Sequence, residues 1–410
     1  MSHPGEPTTR ASVVAVGSMF FINGAVIFSW IPRIADIRDQ LGVTNAQLGT
    51  ALLGMGFGGF AGSLILPRLM GRFRTRHLLI AGGTAQAITL PLIAFMPGAI
   101  ALGVLLAFIG FIDLVTDMSM NTQGVMVQER FGRSIMQRLH GGWSMGSFAG
   151  TLVAWLAISA GVSVRVHLML VSCLLFLAVL AVRNSLLPND NTPGDAARGS
   201  GASPPSSVPV PATRRKVPAP AIALGVMAIG VAIVESLPNN WASVAMRDVF
   251  GARRGLRGVA SIVFAGSMLI GRLGGDHVLE RIGEKRLLVG ALCTALVGGA
   301  IMTSTPVLGI GLLGFGIWGL GISVVFPQMY ALAATMPGLA AGVGLAAMAV
   351  GQRLGFMMEP AVTGRVSDHL RLRPAIGLML VVSAALLVLS TVLRTSAARR
   401  LHPATGLLPQ

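Results

Sequence analysis

Charged residues are scarce in this chain of 410 amino acids. Asp, Glu, Lys and Arg together make up 11% of it, where a soluble domain carries about 25%. Hydrophobic residues make up 53%, and they form long continuous runs instead of alternating with polar residues. This pattern excludes a soluble globular domain and disfavours a β-barrel. It predicts an integral membrane protein built from α-helices.

The chain also has little cysteine. Its two cysteines, Cys173 and Cys293, lie in apolar runs, so they form neither a disulfide framework nor a metal-ligand spacing. The seven histidines form no Ser-His-Asp set or metal cluster with the acids, so we expect no enzyme, no metal and no cofactor. A phosphate-binding loop of the Gly-x-x-x-x-Gly-Lys-Ser/Thr type is missing too, which argues against ATP as an energy source.

The net charge of +16 would suit a nucleic-acid-binding protein, but its distribution does not. Most basic residues lie in short segments between apolar runs, which is the orientation signal of a membrane protein. With a cytoplasmic N-terminus, the cytoplasmic segments carry 19 Lys and Arg residues and the opposite segments carry 10. We therefore expect a chain that contacts the lipid bilayer and not nucleic acid, with both termini cytoplasmic. The basic stretch 247–257 is an exception, because it falls on the outer side.

The apolar runs predict twelve membrane spans. The first run is long enough to span a membrane and has no convincing cleavage site, so we interpret it as a helix and not a signal peptide. The spans lie at roughly residues 11–31, 46–66, 78–97, 100–126, 140–160, 166–187, 219–241, 258–278, 286–304, 307–332, 339–362 and 374–394.

A Pro-, Ser- and Gly-rich segment separates the sixth span from the seventh. We interpret it as a cytoplasmic linker. The predicted organisation is therefore an N-terminal six-helix bundle at 1–188, a linker at 189–218, a C-terminal six-helix bundle at 219–394 and a cytoplasmic tail at 395–410.

The two halves repeat each other. With a shift of 209 residues, Gly62–Ile80 lies over Gly271–Val289, Arg72 matches Arg281 and Arg76 matches Lys285. In both halves the stretch joins the second span to the third. Parallel six-span repeats around a linker are a transporter architecture.

The basic turn in both halves resembles the signature of the major facilitator superfamily between helices 2 and 3. The second copy has Gly271, Asp276, Arg281, Gly283 and Arg286. The resemblance implies an all-α membrane protein of twelve helices in two pseudo-symmetric six-helix bundles, with gating through Arg72, Asp276 and Arg281. In the first copy Pro67 stands in place of the acid and Arg74 in place of the glycine, so a gating salt bridge through that acid does not carry over.

A longer pattern resembles one branch of that superfamily. It comprises Phe20–Ile34, Asp113, Met120, Asn121, Gln123, Gly124, Glu129, Gly132, Arg133, Met136, His140, Gly141, Trp143, Ser144, Gly146, Glu235, Trp241, Arg247, Asp248 and Gly251. The branch contains uncharacterised bacterial members related to fucose permeases, and the resemblance implies a multi-pass protein of the bacterial cytoplasmic (inner) membrane. Asn240 stands where the branch has an acid, and Glu359 where it has a glycine, so the coupling chemistry of this chain differs.

Three polar residues of the fourth span lie four residues apart. On a helix, Asp113, Asp117 and Asn121 share one face. A carboxylate at the bilayer centre costs about 2.5–3.5 kcal/mol on insertion scales, so this face should point at water or a ligand inside the bundle. Because burial disfavours the charged form, the two acids are candidate proton sites. The alternative is that they are hydrogen-bonded acids that lock the helix to a neighbour.

The second half offers further candidates. Glu235 precedes Pro238, Asn239 and Asn240; proline frees a backbone carbonyl, and the amides can bind a ligand or water. The superfamily resemblance implies that helices 1, 4, 7 and 10 line the cavity. The alternative for Glu235 is a gate or interface contact near the outer mouth.

Arg353 and Glu359 are six residues apart and do not share a helical face, so we expect no pair between them. Arg353 either holds a substrate anion or pairs with an acid across the bundle. The polar residues Asn23, Gln328 and Tyr330 are cavity contacts or interhelical hydrogen bonds. His140 is a proton relay or a helix cap.

Glycines recur every fourth residue at 54, 58 and 62 and at 142, 146 and 150. We expect them to let helices approach closely where the halves slide. Ser147 follows Gly146, where drug–proton antiporters of the superfamily have proline. This difference weakens a drug-antiporter assignment but does not exclude it.

We interpret the chain as a secondary active transporter that moves a small solute by alternating access, driven by the solute gradient or by protons, and acting as a monomer. The candidate proton carriers are Asp113, Asp117, Glu235 and Glu359. Two alternatives stay open. One is an efflux permease for drugs or natural products, which the 21 methionines would suit. The other is a transporter-like receptor that moves no solute.

Overall fold

The computed structural model describes residues 9–132, 135–188, 218–336, 339 and 341–401. Their regular structure is helical throughout. The helices are α1 Thr9–Trp30, α2 Ile34–Leu41, α3 Asn45–Arg72, α4 Thr75–Thr89, α5 Ala99–Phe131, α6 Met136–Ser159, α7 Val164–Val182, α8 Ala219–Asp248, α9 Val259–Ile282, α10 Glu284–Ser304, α11 Leu308–Ile322, α12 Val325–Thr335, α13 Ala341–Leu370 and α14 Leu372–Leu401.

The fourteen helices of the described residues form twelve rods, in agreement with the predicted spans. A 3-10 turn at Ile31–Arg33, which contains Pro32, joins α1 to α2, and a two-residue break separates α11 from α12. Within the described residues, nine rods are long and apolar enough to cross a membrane. The other three are α6, α13 and α14; α13 carries four charged residues, and α14 has a shorter apolar stretch at Leu372–Val388.

Several helices extend further than their apolar runs. The predicted first, seventh and eleventh spans end at 31, 241 and 362, whereas the helices continue to Leu41, Asp248 and Leu370. The added turns are rich in charged residues. A helix satisfies its own backbone, so its continuation depends on local hydrogen bonds and not on hydropathy. The predicted linker, apart from Pro218, and the predicted tail beyond Leu401 lie outside the described residues.

Equivalent helices pack in equivalent pairs in the two halves. In the first half α1 packs on α6, α3 on α5, and α4 on α5 and α7. In the second half α8 packs on α13, α9 on α11, and α10 on α11 and α14. Between the halves, α3 packs against α13 and α6 against α9. The result is the predicted pair of pseudo-symmetric six-helix bundles.

The periodic glycines do bring backbones together, but not where we expected. A Cβ atom on Gly58 would lie 1.7 Å from the Ala107 carbonyl oxygen of α5, and one on Gly146 would lie 2.0 Å from the Phe21 carbonyl oxygen of α1. Both contacts lie inside the first half. These glycines therefore hold one bundle together, and the expectation that they line the sliding surface is wrong.

Other glycines mark where the halves touch. A Cβ on Gly49 would lie 2.0 Å from the Pro360 carbonyl oxygen of α13, and one on Gly56 would meet the side chain of Met357. Further along α3, a Cβ on Gly59 or Gly62 would meet only α5. The two bundles therefore touch along the first half of α3 and separate along its second half.

Candidate functional site

Asp113 lies at the centre of a hydrogen-bond network in the first half. Its Oδ1 accepts from Asn23 Nδ2 of α1 at 2.8 Å and from Gln86 Nε2 of α4 at 2.9 Å. Asn23 Oδ1 in turn accepts from the Trp143 indole of α6 at 2.8 Å. Asn23 and Gln86 are buried, whereas Asp113 is only partly buried. The network joins four helices and keeps one carboxylate edge open.

Asp117 and Asn121 continue along the same face of α5. Asn121 Nδ2 donates to the Asp117 carboxylate at 3.1 Å and to its backbone carbonyl at 2.8 Å. Both residues are partly buried. Asp117 lies within electrostatic range of Asp113 and of Arg353 on α13 of the opposite half. The predicted stripe therefore exists as a continuous polar face.

Arg353 makes no ion pair or hydrogen bond within the described part of the chain. Its two predicted roles, an anion site for the substrate and a pair with an acid across the bundle, stay predictions. Its guanidinium lies within electrostatic range of Asp117 and Tyr330. The Tyr330 hydroxyl donates to Gln352 Oε1. Gln328 is partly buried on α12, and its side chain makes no hydrogen bond among the described residues. A cation and an acid from opposite halves thus face each other without touching.

Glu359 has a very different environment. It is 1% exposed, and its Oε2 accepts from Ser236 Oγ at 2.8 Å and Asn240 Nδ2 at 2.9 Å. Its Oε1 accepts from the Trp241 indole at 2.9 Å and Thr363 Oγ at 2.8 Å. Four donors therefore surround this carboxylate and tie α13 to α8.

The polar groups that follow Glu235 on α8 are used inside the protein. The carbonyl that Pro238 frees, that of Val234, accepts from the Trp318 indole of α11 at 2.9 Å. Asn239 Nδ2 donates to the Glu235 carbonyl at 2.9 Å, and Asn240 belongs to the Glu359 cluster. The freed carbonyl is therefore occupied within the protein, whereas Asn239 and Asn240 are only partly buried, and their role as solute-binding amides stays a prediction.

The Glu235 carboxylate has one charged neighbour. Arg272 Nη2 of α9 lies 3.9 Å from Glu235 Oε1, and Arg272 Nη1 donates to Ser144 Oγ of α6 at 3.3 Å. The guanidinium also lies within electrostatic range of His140. His140 lies in the second turn of α6, with its ring edge-to-face to Phe20, so it does not cap the helix.

The predicted gating residues lie where the repeat suggested. Arg72 ends α3, with its guanidinium 5.9 Å from the ring centroid of Phe73, and Arg281 is exposed near the end of α9. Neither makes an ion pair among the residues described. The side chain of Asp276 lies outside the described residues. The gating role of these three residues stays a prediction. We call this end of the molecule, with the α3–α4 and α9–α10 turns, the basic-turn end.

An ion-pair cluster joins the halves at the opposite end. Arg38 of α2 donates to both carboxylate oxygens of Asp248 on α8, at 2.7 and 3.1 Å. Arg247 pairs with Asp39, and Arg257 lies 3.3 Å from Asp39. Asp368 of α13 accepts from the Asn45 and Ala46 backbone N–H groups at the start of α3, at 3.0 and 3.1 Å. We call this end the ion-pair end; the cluster lines a wide surface depression of about 580 Å³ there.

Sequence reasoning missed several of these partners. Gln86, Ser236 and Arg272 are not among the predicted site residues, and Trp143 enters only as part of the family resemblance. A lone amide or arginine in an apolar run was the available signal. The ion-pair cluster was foreshadowed by the basic stretch 247–257 on the outer side. Among the described residues, no group of His, Cys, Asp and Glu could hold a metal ion.

Comparisons with known proteins agree with this architecture. The model of the Major Facilitator Superfamily matches residues 14–360. An uncharacterised MFS-type transporter of Yersinia pestis is 26% identical over 371 residues, which cover 89% of this chain and 92% of that protein. The membrane protein MosC of Rhizobium meliloti is 25% identical over 378 residues, which cover 90% of this chain and 87% of MosC.

Solved structures show the same fold. The crystal structure of the nucleoside transporter NupG superposes with a TM-score of 0.73 at 14% identity, covering 93% of this chain and 98% of that one. A bacterial homologue of the human lysosomal transporter Spinster, in an inward-facing and occupied conformation, has a TM-score of 0.69 at 12% identity, with 94% and 96% covered. The chain therefore belongs to the major facilitator superfamily, whose members are membrane transporters and not enzymes.

Proposed function

We propose that this protein is a secondary active transporter that moves a small polar solute across the bacterial cytoplasmic membrane by alternating access. The observation that carries the proposal is the asymmetry between the two ends of the molecule. Ion pairs join the halves at the ion-pair end, and the described residues make none between the halves at the basic-turn end. One open end and one closed end are the geometry that alternating access requires.

The basic turns indicate which end of the molecule faces the cytoplasm. Short loops rich in Arg and Lys face the cytoplasm, so the basic-turn end is cytoplasmic in this proposal, as are both termini. The conformation is then inward-facing, with the ion-pair cluster closing the outer mouth. A single chain contains both bundles, and we propose that it acts as a monomer.

The polar face of α5 is the proposed solute and proton site. Asp113 and Asp117 are partly buried, and Arg353 of the other half lies within electrostatic range of Asp117. Asn23, Asn121, Gln328 and Tyr330 add hydroxyl and amide groups, which suit a polyhydroxylated solute such as a sugar or, by analogy with NupG, a nucleoside. Because burial disfavours a charged carboxylate, these acids can carry protons between the two sides. Four donors from neighbouring residues occupy the two carboxylate oxygens of Glu359, so we assign this residue to helix packing.

Transport in proteoliposomes tests the proposal. Counterflow of labelled sugars, nucleosides and amphipathic cations identifies the solute class, and a proton gradient tests coupling. Asp113→Asn keeps an acceptor oxygen for Asn23 and Gln86 but cannot ionise. We expect this variant to retain counterflow while its proton-driven accumulation falls at least tenfold, a loss of about 1.4 kcal/mol of coupling.

The matched control is Glu129→Gln, an exposed carboxylate on the same helix, which should accumulate solute normally. Accumulation by Asp113→Asn equal to that of the unmodified protein would remove Asp113 from the proton path. Counterflow of amphipathic cations alone would favour the efflux alternative, and no counterflow with any solute would favour the receptor.

A further inference from the structure

We infer that Arg272 is a positioning residue that links the charge state of Glu235 to the contact between the two halves. The inference rests on the proposed alternating access. Arg272 lies near the middle of α9, and its side chain is 32% exposed. A cation at the middle of a membrane helix is costly, so such residues face the interior of the bundle and serve a function.

One guanidinium reaches three helical rods. Nη2 lies 3.9 Å from Glu235 Oε1 on α8, Nη1 donates to Ser144 Oγ on α6 at 3.3 Å, and Nε donates to the Ser323 carbonyl at 3.5 Å. Charge-assisted hydrogen bonds are usually about 2.7–2.9 Å long. All three contacts are longer, so the guanidinium is shared among three partners and can redistribute between them.

The Ser323 carbonyl is available because its helix is broken. α11 ends at Ile322 and α12 begins at Val325, and the Ser323 hydroxyl donates back to the Leu320 carbonyl at 2.6 Å. Broken membrane helices leave backbone carbonyls unpaired, and such carbonyls coordinate cations near transport sites. Here the cation at the broken helix is the guanidinium of Arg272, a side chain of the protein itself.

Glu235 and Arg272 balance each other's charge. In the part of the chain that the structure describes, Arg272 is the charged residue nearest Glu235, and Glu235 is the acid that pairs with Arg272. The other titratable group that faces the guanidinium is His140, from α6. A proton or a cationic solute group on Glu235 therefore leaves Arg272 without a counter-charge.

That loss occurs where the halves meet. Ser144 belongs to the first half, and His140, one turn nearer the basic-turn end on the same face of α6, is exposed. Arg272 therefore contacts α6 one turn before this face of α6 becomes exposed. Neutral Glu235 should weaken the present arrangement and shift the population towards a state closed at the basic-turn end.

A double-mutant cycle with a conformational readout tests this link. Cysteines replace Gly71 of α3 and Gly290 of α10, which are exposed and have open space around an added side chain, in a Cys173→Ser, Cys293→Ser background. Spin labels there report the distance between the halves at the basic-turn end. We expect Glu235→Gln to raise the short-distance population at least about threefold, and to change it less than about 1.5-fold when Arg272 is already Gln.

Further variants separate linkage from simple packing. Arg272→Lys keeps a cation and should restore part of the response to Glu235→Gln. Ser144→Ala keeps the charge pair but removes the inter-half contact, so it should reduce the response. Glu280→Gln, an exposed change on the same helix, should leave it intact. If Arg272→Gln does not accumulate in the membrane, the responses of the Ser144→Ala and Arg272→Lys variants to Glu235→Gln distinguish linkage from packing.

Two results overturn the inference. One is an equal response to Glu235→Gln with and without Arg272, and the other is no response when Arg272 is present. Transport assays are read separately. A distance response without transport of any solute overturns the proposed function but not the linkage.

Discussion

Each half of the molecule holds an acid in a hydrogen-bond network that links helices, and the two acids, Asp113 and Glu359, are surrounded in opposite ways. Glu359 in the second half is 1% exposed and accepts from four donors through both oxygens. Asp113 in the first half is partly buried and accepts two bonds through Oδ1 alone. Both were candidate proton sites on the basis of position in an apolar run. The difference teaches that position in an apolar run does not determine how a carboxylate is engaged: both oxygens of Glu359 accept hydrogen bonds, whereas the bonds to Asp113 from the described residues all go to Oδ1.

The surroundings explain the difference. Three donors to Glu359 come from one and a half turns of α8, which presses against α13, so the carboxylate closes a helix–helix contact. The donors to Asp113 come from α1 and α4, on either side of α5, and leave its remaining edge uncovered. We therefore expect changes at Glu359 to act on stability and changes at Asp113 to act on transport.

The largest expected effect follows removal of the Glu359 carboxylate. In Glu359→Leu, Ser236 and Thr363 can turn to backbone carbonyls, but the buried Trp241 indole loses its acceptor, and the part-buried Asn240 amide keeps only its bond to Ser236 Oγ. The unsatisfied Trp241 donor costs about 1–3 kcal/mol and the lost Asn240 hydrogen bond adds about 1 kcal/mol, so the folded state should lose about 2–4 kcal/mol. Thermal unfolding in detergent, followed by size-exclusion, measures the loss.

Asp113→Leu is the matched change in the first half. Its donors, Asn23 and Gln86, lie beside a partly open edge that water can reach, so the loss of stability should be less than half as large. Equal losses in the two variants would erase the distinction between the two sites.

A smaller change tests the donors instead of the acids. Trp241→Phe removes one donor to Glu359, and Trp143→Phe removes the donor to Asn23. Trp241 is 0% exposed, whereas Trp143 is partly buried. We expect Trp241→Phe to cost about 1–3 kcal/mol, because a buried charged group loses a partner, and Trp143→Phe to cost about 1 kcal/mol. Chemical unfolding in detergent orders the two, and the reverse order would contradict the comparison.

The ion-pair end falls between the two sites in exposure. The side chains of Arg38 and Asp248 are 9% and 28% exposed. Partly exposed pairs contribute about 0–1 kcal/mol, so Asp248→Asn should leave unfolding nearly unchanged. Because the pair joins the halves, the same change should raise the fraction open at this end a few-fold. Maleimide labelling of a Ser243→Cys variant in the Cys173→Ser, Cys293→Ser background measures that fraction, because Ser243 is buried and its hydroxyl oxygen accepts from the Ala35 N–H group of α2. A large drop in stability without altered labelling would give the pair a purely structural role.

The sequence predicted the rods and the repeat, but not the hydrogen-bond partners of the candidate site residues. Asn23 and Asp113 were both candidates, yet 90 residues separate them, and nothing local indicates that they meet. Glu359 and Asn240, likewise, were flagged as two unrelated departures from a family pattern, and they bind each other. The carbonyl opposite Pro238 was expected to be open because helix geometry frees it, whereas Trp318, 84 residues away, determines its use. Helix propensity and residue spacing predict the faces of a single helix. Hydrogen-bond partners on different helices are determined by how the helices pack in the bundle, which spacing along the chain does not show.

The smallest expected effect concerns Gln86, the buried partner of Asp113. Its Nε2 donates to Asp113, but its Oε1 is buried without a partner. Gln86→Leu loses one hydrogen bond and also removes an unsatisfied oxygen, and these terms oppose each other at about 1–3 kcal/mol each. Stability should therefore change by less than about 1 kcal/mol. Asn240→Leu, the equivalent change beside Glu359, has no such compensation and should destabilise more. Melting curves of the two variants in one detergent compare their losses of stability. If Gln86→Leu costs as much as Asn240→Leu, then Gln86 Oε1 has a partner such as bound water. The hydrogen-bond network of the first half would then be as fully paired as that of the second.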